Sequence, residues 1–242
     1  METAVLRGPL AAQFADEGFA VLPNFYAPAE VAALLRAVES AAGSGPNFRR
    51  SQEVFAIRAL LQEIPSLWPL PDSGALRELL AGLFPVGCQL VKAIYFDKPA
   101  GSNWLVPWHQ DLMINVGQRA DVPGFGPWTS KAEGVSVQPP VAVLENVVTL
   151  RIHLDDCDAT NGALKVVPGS HRHGVVPAAA IASYTPNTIT CAVPAGGAML
   201  MKPLLLHASN RSTSPRPRRV IHLEFASAEL PAGLAWRERQ HL

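Results

Sequence analysis

The chain has 242 residues, 48% of them hydrophobic and 17% charged, which excludes a disordered chain and describes a compact globular protein. Twenty basic and twenty acidic side chains cancel to zero formal charge, excluding a global field that would draw nucleic acid or an anionic membrane. Cys88, Cys157 and Cys191 are few, odd in number and far apart without a CxxC, which excludes a disulfide framework and a zinc knuckle. The N-terminus lacks a basic-then-apolar secretory profile and no run of about eighteen apolar residues is present, so a cytoplasmic protein with no membrane partner is expected.

Pro9 to Asp16 reads as a short helix with proline at its start, and Phe19 to Leu22 as a short strand. Pro28 to Ala42 carries Val31, Leu34, Leu35 and Val38 at helical spacing with Gly43 as a stop, and predicts an amphipathic helix on a core. Arg49-Arg50 and the segment to Val54 read as a loop with a solvated basic corner. Phe55 to Ile64 and Ser73 to Leu83 read as two further helices, ending before Pro65 and Pro85, so that residues 1–85 form a mostly helical prelude.

From Gly87 the periodicity changes to strand, with Gln89 and Lys92 interrupting the β-rich run Cys88 to Phe96. A lysine there is either an edge residue or an inward group facing a carboxylate, and if inward it is a contact for an anionic ligand. Next comes Trp104 to Asn115, WLVPWHQDLMIN. In an extended segment His109 and Asp111 project from one face and Gln110 from the other. Alone, such a triplet is commonly a surface histidine beside a solvated aspartate. With a second histidine it becomes the two-histidine, one-carboxylate set of non-haem Fe(II) oxygenases, which leaves coordination positions open for reactants.

Gly117 to Pro140 is rich in Gly and Pro and reads as a long irregular insertion, where a lid or substrate loop is expected. Trp128 and Phe125 either cover the site or pin the loop to the body. Val147 to Asp155 alternates cleanly, with Leu150, Ile152 and Leu154 on one face and Arg151, His153 and Asp155 on the other. The polar face is either in water or, if it lines an interior site, places Arg151 and His153 in a substrate pocket. Asn161-Gly162 and Pro168-Gly169 are turns around the strand Ala163 to Val167; His171 and His173 read as a surface pair. Thr188 to Val193 is a strand, and Pro194 to Gly197 a tight turn. Met199 to Ala208 reads as an apolar strand pair broken at Lys202-Pro203 that ends in His207. A polar turn leads to Val220 to Phe225; Arg218, eleven positions after His207, can sit on the neighbouring antiparallel strand and face the same cavity. Glu229 to Leu242 reads as a surface tail.

His109, Asp111, His207, Ser209 two positions on and Arg218 together resemble the pattern of the phytanoyl-CoA dioxygenase family of Fe(II)- and 2-oxoglutarate-dependent oxygenases. Glu17 to Pro23, Phe96-Asp97-Lys98 and Asn161 to His171 add to the resemblance, which spans almost the whole chain. Ser212 departs from it, since many relatives carry Asn in that turn. The resemblance implies a mainly β double-stranded β-helix, the cupin-like jelly roll, in residues 86–226. It would follow the N-terminal helices, precede a tail over 227–242, and form one domain over 1–242.

The resemblance further implies Fe(II) held by His109, Asp111 and His207, with 2-oxoglutarate and O2 as co-reactants and succinate and CO2 as by-products. His153 competes as third metal ligand but lacks a following Ser and Arg at the family spacing. Arg218 suits the far carboxylate of 2-oxoglutarate because guanidinium is a planar two-donor fork that stays charged when buried. Ser209 adds a hydroxyl, and Lys92 is taken as a further cosubstrate contact. Arg151, His153 and Trp128 are taken as substrate contacts. Related halogenases have a small residue where Asp111 stands, so the chain resembles a hydroxylase. Two other readings stay open: a non-catalytic jelly-roll binding or sensor protein, and a cupin-like metalloenzyme without 2-oxoglutarate. The expected partner is a polar or anionic small molecule, with monomer and homodimer both open.

Overall fold

A computed structural model describes residues 8–41, 43–50, 54–98, 104–132 and 134–242. The first helix, α1 (Pro9–Glu17), starts on proline, buries Phe14 and stops at Gly18, whose φ of 81° is a left-handed conformation that glycine adopts without steric cost. Strand β1 (Phe19–Leu22) follows. In α2 (Pro28–Glu39) Glu30 reaches back to the Ala27 N–H at 2.7 Å, and Val31, Leu34 and Val38 form the buried stripe.

Where a loop and a helix were expected, Phe48–Arg50 and Val54–Arg58 form a strand pair, β2 and β3; residues 51–53 lie outside the described residues. Helical propensity at Phe55 to Arg58 is overridden because β3 completes the edge of the next strand, β4 (Gln89–Asp97), through Ala56↔Phe96, Ile57↔Tyr95 and Arg58↔Ile94. Only α3 (Leu60–Glu63) of that predicted helix forms, after a turn at Ala59 with φ 49°. The third predicted helix is α4 (Gly74–Leu83), burying Leu76, Leu79 and Leu80.

The remaining strands are β5 (Val106–His109), β6 (Ile114–Val116), β7 (Trp128–Lys131), β8 (Gly134–Val137), β9 (Val147–His153), β10 (Leu164–Val166), β11 (Ile189–Thr190), β12 (Ala198–Met201), β13 (His207–Ser209), β14 (Arg219–Ala226) and β15 (Gln240–His241). An eight-stranded sheet runs β1-β12-β9-β14-β4-β3-β2, with β15 also on β4; a second runs β11-β10-β13-β5; a third runs β6-β8-β7. All pairs are antiparallel. This is the mainly β, jelly-roll arrangement with helices at the N-terminus.

Alternation gives the large sheet two different faces. Leu90, Tyr95, Leu150, Ile152, Ile221, Leu223 and Phe225 join the main apolar core with Phe14, Val31, Leu34 and Leu79 of the helices. The opposite face is apolar at β1 and β12, where Phe19, Met199 and Met201 pack on Leu164 and Val166 of the second sheet. At β9, β14 and β4 it is polar: Arg151, His153, His222, Glu224 and Lys92 are all buried. The sandwich is therefore filled with hydrocarbon at one side and holds a buried polar lining at the other.

Two further expectations are corrected. The Gly117–Pro140 insertion supplies β7 and β8 of the three-stranded sheet, and its Val137, Phe125 and Trp128 pack with Val116 of β6 in a second apolar cluster, because those side chains have a hydrophobic partner surface. The expected surface tail is anchored: Leu234 and Trp236 are buried, and the Glu238 carboxylate accepts the Ala93 N–H at 3.0 Å beside β15.

Candidate active site

His109 ends β5 and His207 begins β13, and the two are direct cross-strand partners with imidazole centroids 4.2 Å apart. Asp111 follows β5, its backbone N–H donating to Pro203 at 2.9 Å. Its two oxygens lie 3.6 Å from His109 Nε2 and 3.6 Å from His207 Nε2. One ligand atom from each of the three residues falls within 4.8 Å of the others, as a single metal ion requires.

Each imidazole is oriented from behind: Nδ1 of His109 donates to Pro107 O and Nδ1 of His207 to Leu205 O, both at 2.9 Å. With Nδ1 carrying the proton, both Nε2 lone pairs face the centre. Gln110 points the other way, donating to Gly174 O and Leu204 O and accepting from Val176 N at 2.8, 2.6 and 2.8 Å. That buried amide fixes the strand from which His109 and Asp111 project.

Burial alone would raise the Asp111 carboxyl; His207, His109 and His222 outweigh it and hold the group well below the usual carboxylate range. Burial pushes His207 down to about 4 although Asp111 opposes it. In His109 burial acts downward too, but the Asp111 carboxylate prevails and the shift is upward. The centre is built as one carboxylate facing one imidazole that burial holds neutral and one whose proton affinity that carboxylate raises.

A cavity of about 240 Å³ opens on these residues, lined also by Phe96, Trp104, Val106, Arg151, Leu164, Ser209, Arg218 and His222. Arg218 does not lie on the strand beside His207. It precedes β14 of the large sheet and meets Ser209 across the sandwich, because β14 pairs with β4 and β9 while β13 pairs with β5 and β10. Its Nη1 donates to Gly162 O at 2.6 Å and approaches Ser209 Oγ at 3.4 Å. Gly162 sits at φ +83°, where a Cβ would lie 2.9 Å from Asn210 O and 3.1 Å from Lys98 Nζ.

Arg218 Nε and Arg151 Nε are buried and have no hydrogen-bond partner among the described residues. Orphaned guanidinium donors in a cavity beside a metal-competent triad suit an anionic cosubstrate that chelates the ion at one end. The residues present therefore fit both iron and 2-oxoglutarate.

Of the other predicted contacts, Arg151 alone lines this cavity. Lys92 is inward, but its ammonium is committed to Glu224 at 2.8 Å and Met113 O at 3.1 Å, so a role for it as an additional 2-oxoglutarate contact is corrected. Trp128 lies in β7 within the second apolar cluster, under the Arg119 guanidinium at 5.7 Å, which fits a pinning role and not a cover over this cavity. His153 is buried on the same face as Arg151 with neither ring nitrogen bonded, and burial with Arg151 and Arg218 nearby keeps it neutral; it is not part of the cavity lining. Arg151 does line it and donates from Nη1 to His222 Nδ1 at 3.1 Å. His171 is half-buried and His173 exposed, away from the site.

Residues not singled out as site groups also take part. Lys98 is 1% exposed, donates to Asn210 O at 2.6 Å and approaches Ser209 Oγ at 3.3 Å. Burial, with Arg218 nearby, pushes its ammonium down to about 8. His222 and Glu224 were legible in principle, since Arg218, Val220, His222 and Glu224 alternate onto one face of an extended segment.

The sequence model of phytanoyl-CoA dioxygenase (PhyH) matches residues 14–220, most of the chain and all five motif positions but none of the tail. The chain belongs to the phytanoyl-CoA dioxygenase family. It is a 2-oxoglutarate-dependent non-haem iron dioxygenase, with Fe(II) and 2-oxoglutarate as its cofactor and cosubstrate. No curated protein matches it. Among solved structures it is similar to EctD from S. alaskensis with 2-oxoglutarate and 5-hydroxyectoine, at 20% identity and TM-score 0.72 over 93% of this chain and 78% of that one. The 2-oxoglutarate complex of EvdO2 from Micromonospora carbonacea var. aurantiaca gives 18% identity and TM-score 0.66, covering 97% and 94%. The carbocyclase SnoK from nogalamycin biosynthesis gives 16% and 0.69, covering 96% and 87%. These structures share the fold of this chain. Among the described residues, no helix is long and apolar enough to cross a membrane.

Proposed function

We propose that this family member, acting as one domain, hydroxylates a C–H bond of a small molecule. In this reading iron is held by His109, Asp111 and His207, and the far carboxylate of 2-oxoglutarate by Arg218 and Ser209. The observation that carries the reading is the convergence of three ligand atoms within 4.8 Å beside a buried guanidinium with an unpartnered donor. Iron, 2-oxoglutarate and O2 supply the oxidising power, with succinate and CO2 released. The chain's own part is to aim two Nε2 lone pairs and one carboxylate at a point, to neutralise an anion at Arg218, and to keep water out with Phe96, Trp104, Val106 and Leu164. Three free thiols, Cys88, Cys157 and Cys191, support a reducing, cytoplasmic setting.

The test is Arg218→Ala. Losing a buried, charged hydrogen bond costs roughly 2–5 kcal/mol, so the 2-oxoglutarate requirement should rise by orders of magnitude with metal affinity retained. Unchanged cosubstrate affinity in that variant removes Arg218 from its role. Iron binding without succinate release in the wild type would point to a binding or sensor protein instead.

A further inference from the structure

Two guanidiniums, Arg151 and Arg218, line the cavity that opens on the metal triad, and they are only 7% and 4% exposed. Their hydrogen-bond partners among the described residues are a ring nitrogen, a carbonyl and a hydroxyl, none of them a carboxylate. Buried charges are ordinarily paired, and two like charges facing one cavity also oppose each other. An occupant that relieves both penalties carries two anionic groups. We propose that Arg151 is the second guanidinium of the cosubstrate site, holding the 1-carboxylate of 2-oxoglutarate while Arg218 holds the far one, an assignment that rests on the oxygenase reading above.

The register of β9 and β14 decides which end each guanidinium serves. Arg151 stands opposite His222, and Arg218 precedes His222 by four positions, a separation of about 13 Å along the strand. Burial and then Arg218 push the Arg151 guanidinium down to about 10, against the pull of the Asp111 carboxylate. Arg151 in turn adds to the depression of His207 that burial causes. Arg218 is also lowered by burial, but the groups that oppose this are Cys157 and Asp97, not the triad. Arg151 is thus the guanidinium at the metal end. A neighbouring cavity of about 310 Å³ shares Asp111, Phe96 and His222 with this one but is not lined by Arg151, so Arg151 serves the cosubstrate and not a second molecule beside it.

A buried chain holds Arg151 in place. Its Nη1 lies 3.1 Å from His222 Nδ1, and a guanidinium only donates, so His222 accepts at Nδ1 and donates from Nε2 to Glu224 Oε1 at 3.1 Å. Glu224 is fixed by Lys92 at 2.8 Å. The Phe96 ring centre lies 6.0 Å from the guanidinium carbon. A cation restrained before its anion arrives loses little rotamer freedom on binding it.

The test uses two probes that each replace one carboxylate of 2-oxoglutarate by a methyl group: 2-oxopentanoate keeps the 1-carboxylate and levulinate keeps the far one. Binding is read by displacement calorimetry on protein loaded with Mn(II). Arg151→Gln should weaken 2-oxopentanoate about tenfold or more, the scale of one charge-assisted hydrogen bond, and leave levulinate and Mn(II) affinity within twofold. Arg218→Ala should do the reverse. Arg151→Lys, which keeps the buried cation if the glutamine variant folds poorly, should show the same selectivity to a smaller degree. Nitrogen-15 spectra of the wild type loaded with Zn(II) need no variant: 2-oxopentanoate should shift the Arg151 Nε–H signal and levulinate that of Arg218. Arg151 variants that weaken both probes equally, or neither, or an Arg151 signal that ignores 2-oxopentanoate, overturn the proposal. A wild type that binds no 2-oxoglutarate with Mn(II) would defeat the oxygenase reading itself, whereas cosubstrate binding indifferent to Arg151 defeats this assignment alone.

Discussion

Lys92→Met should be among the most destabilising single changes on the polar face. The Lys92 and Glu224 side chains are only 10% and 7% exposed with 2.8 Å between N and O, which at an effective dielectric near 20 is about 6 kcal/mol of gross attraction. Desolvating two ions costs several kcal/mol each, so the pair's net contribution is small, but breaking it leaves one buried charge and costs about 3–5 kcal/mol. Burial pushes the Glu224 carboxyl up, and Lys92 with the His222 hydrogen bond overcomes this, so the group ionises more readily than an ordinary glutamate. Its stabilisation is present above the unfolded-state pKa and is lost as pH falls through the lower folded value. Removing Lys92 reverses the sign, because the carboxyl then prefers its proton when folded. The Lys92→Met penalty, read from urea unfolding in EDTA, should therefore be largest at neutral pH and shrink toward pH 5. Adding Glu224→Gln removes the stranded charge while keeping an acceptor for His222, and should recover all but about 1 kcal/mol. A single-variant loss under about 1 kcal/mol, or no recovery in the double variant, refutes the reasoning.

Glu238 is raised by burial despite the Ala93 N–H, so Glu238→Gln should stabilise the protein at pH 7, with the gain vanishing as pH falls through the glutamate range; thermal melts across pH read this directly. Gly162→Ala should weaken 2-oxoglutarate binding, seen by calorimetry with Mn(II), because a Cβ 2.9 Å from Asn210 O displaces the carbonyl that Arg218 and Ser209 share. Trp128→Ala should lower the melting temperature through lost packing while leaving the 2-oxoglutarate KM unchanged; a raised KM would return Trp128 to the site.

The metal triad could be read from the chain because its chemistry is local: one alternating triplet, and one histidine with Ser and Arg at fixed distances. Where Arg218 sits could not, since whether two consecutive strands pair or cross to opposite sheets is decided by long-range pairing. The same limit explains Phe55 to Arg58, which carries an apolar pattern compatible with either helix or strand until β4 offers an edge. Lys92 shows the complementary case. Its inward direction was one of two open alternatives, but its partner Glu224 is 132 positions away and adjacent only through the β4–β14 register. Trp128 and Trp236 read from sequence as parts of a covering or pinning loop and of a surface tail, because Gly, Pro and polar neighbours hide an apolar anchor.

In the order β11-β10-β13-β5, the strand that delivers His109 is terminal and, among the described residues, is paired along one side. Strands at such margins open most easily, and Pro107 lacks an N–H with which to strengthen this one. An ion gripping His109, Asp111 and His207 would rivet this margin to β13. Chelation should then speed amide exchange selectively in the segment from Trp104 to Val116, making iron supply a determinant of how long the folded chain survives proteolysis.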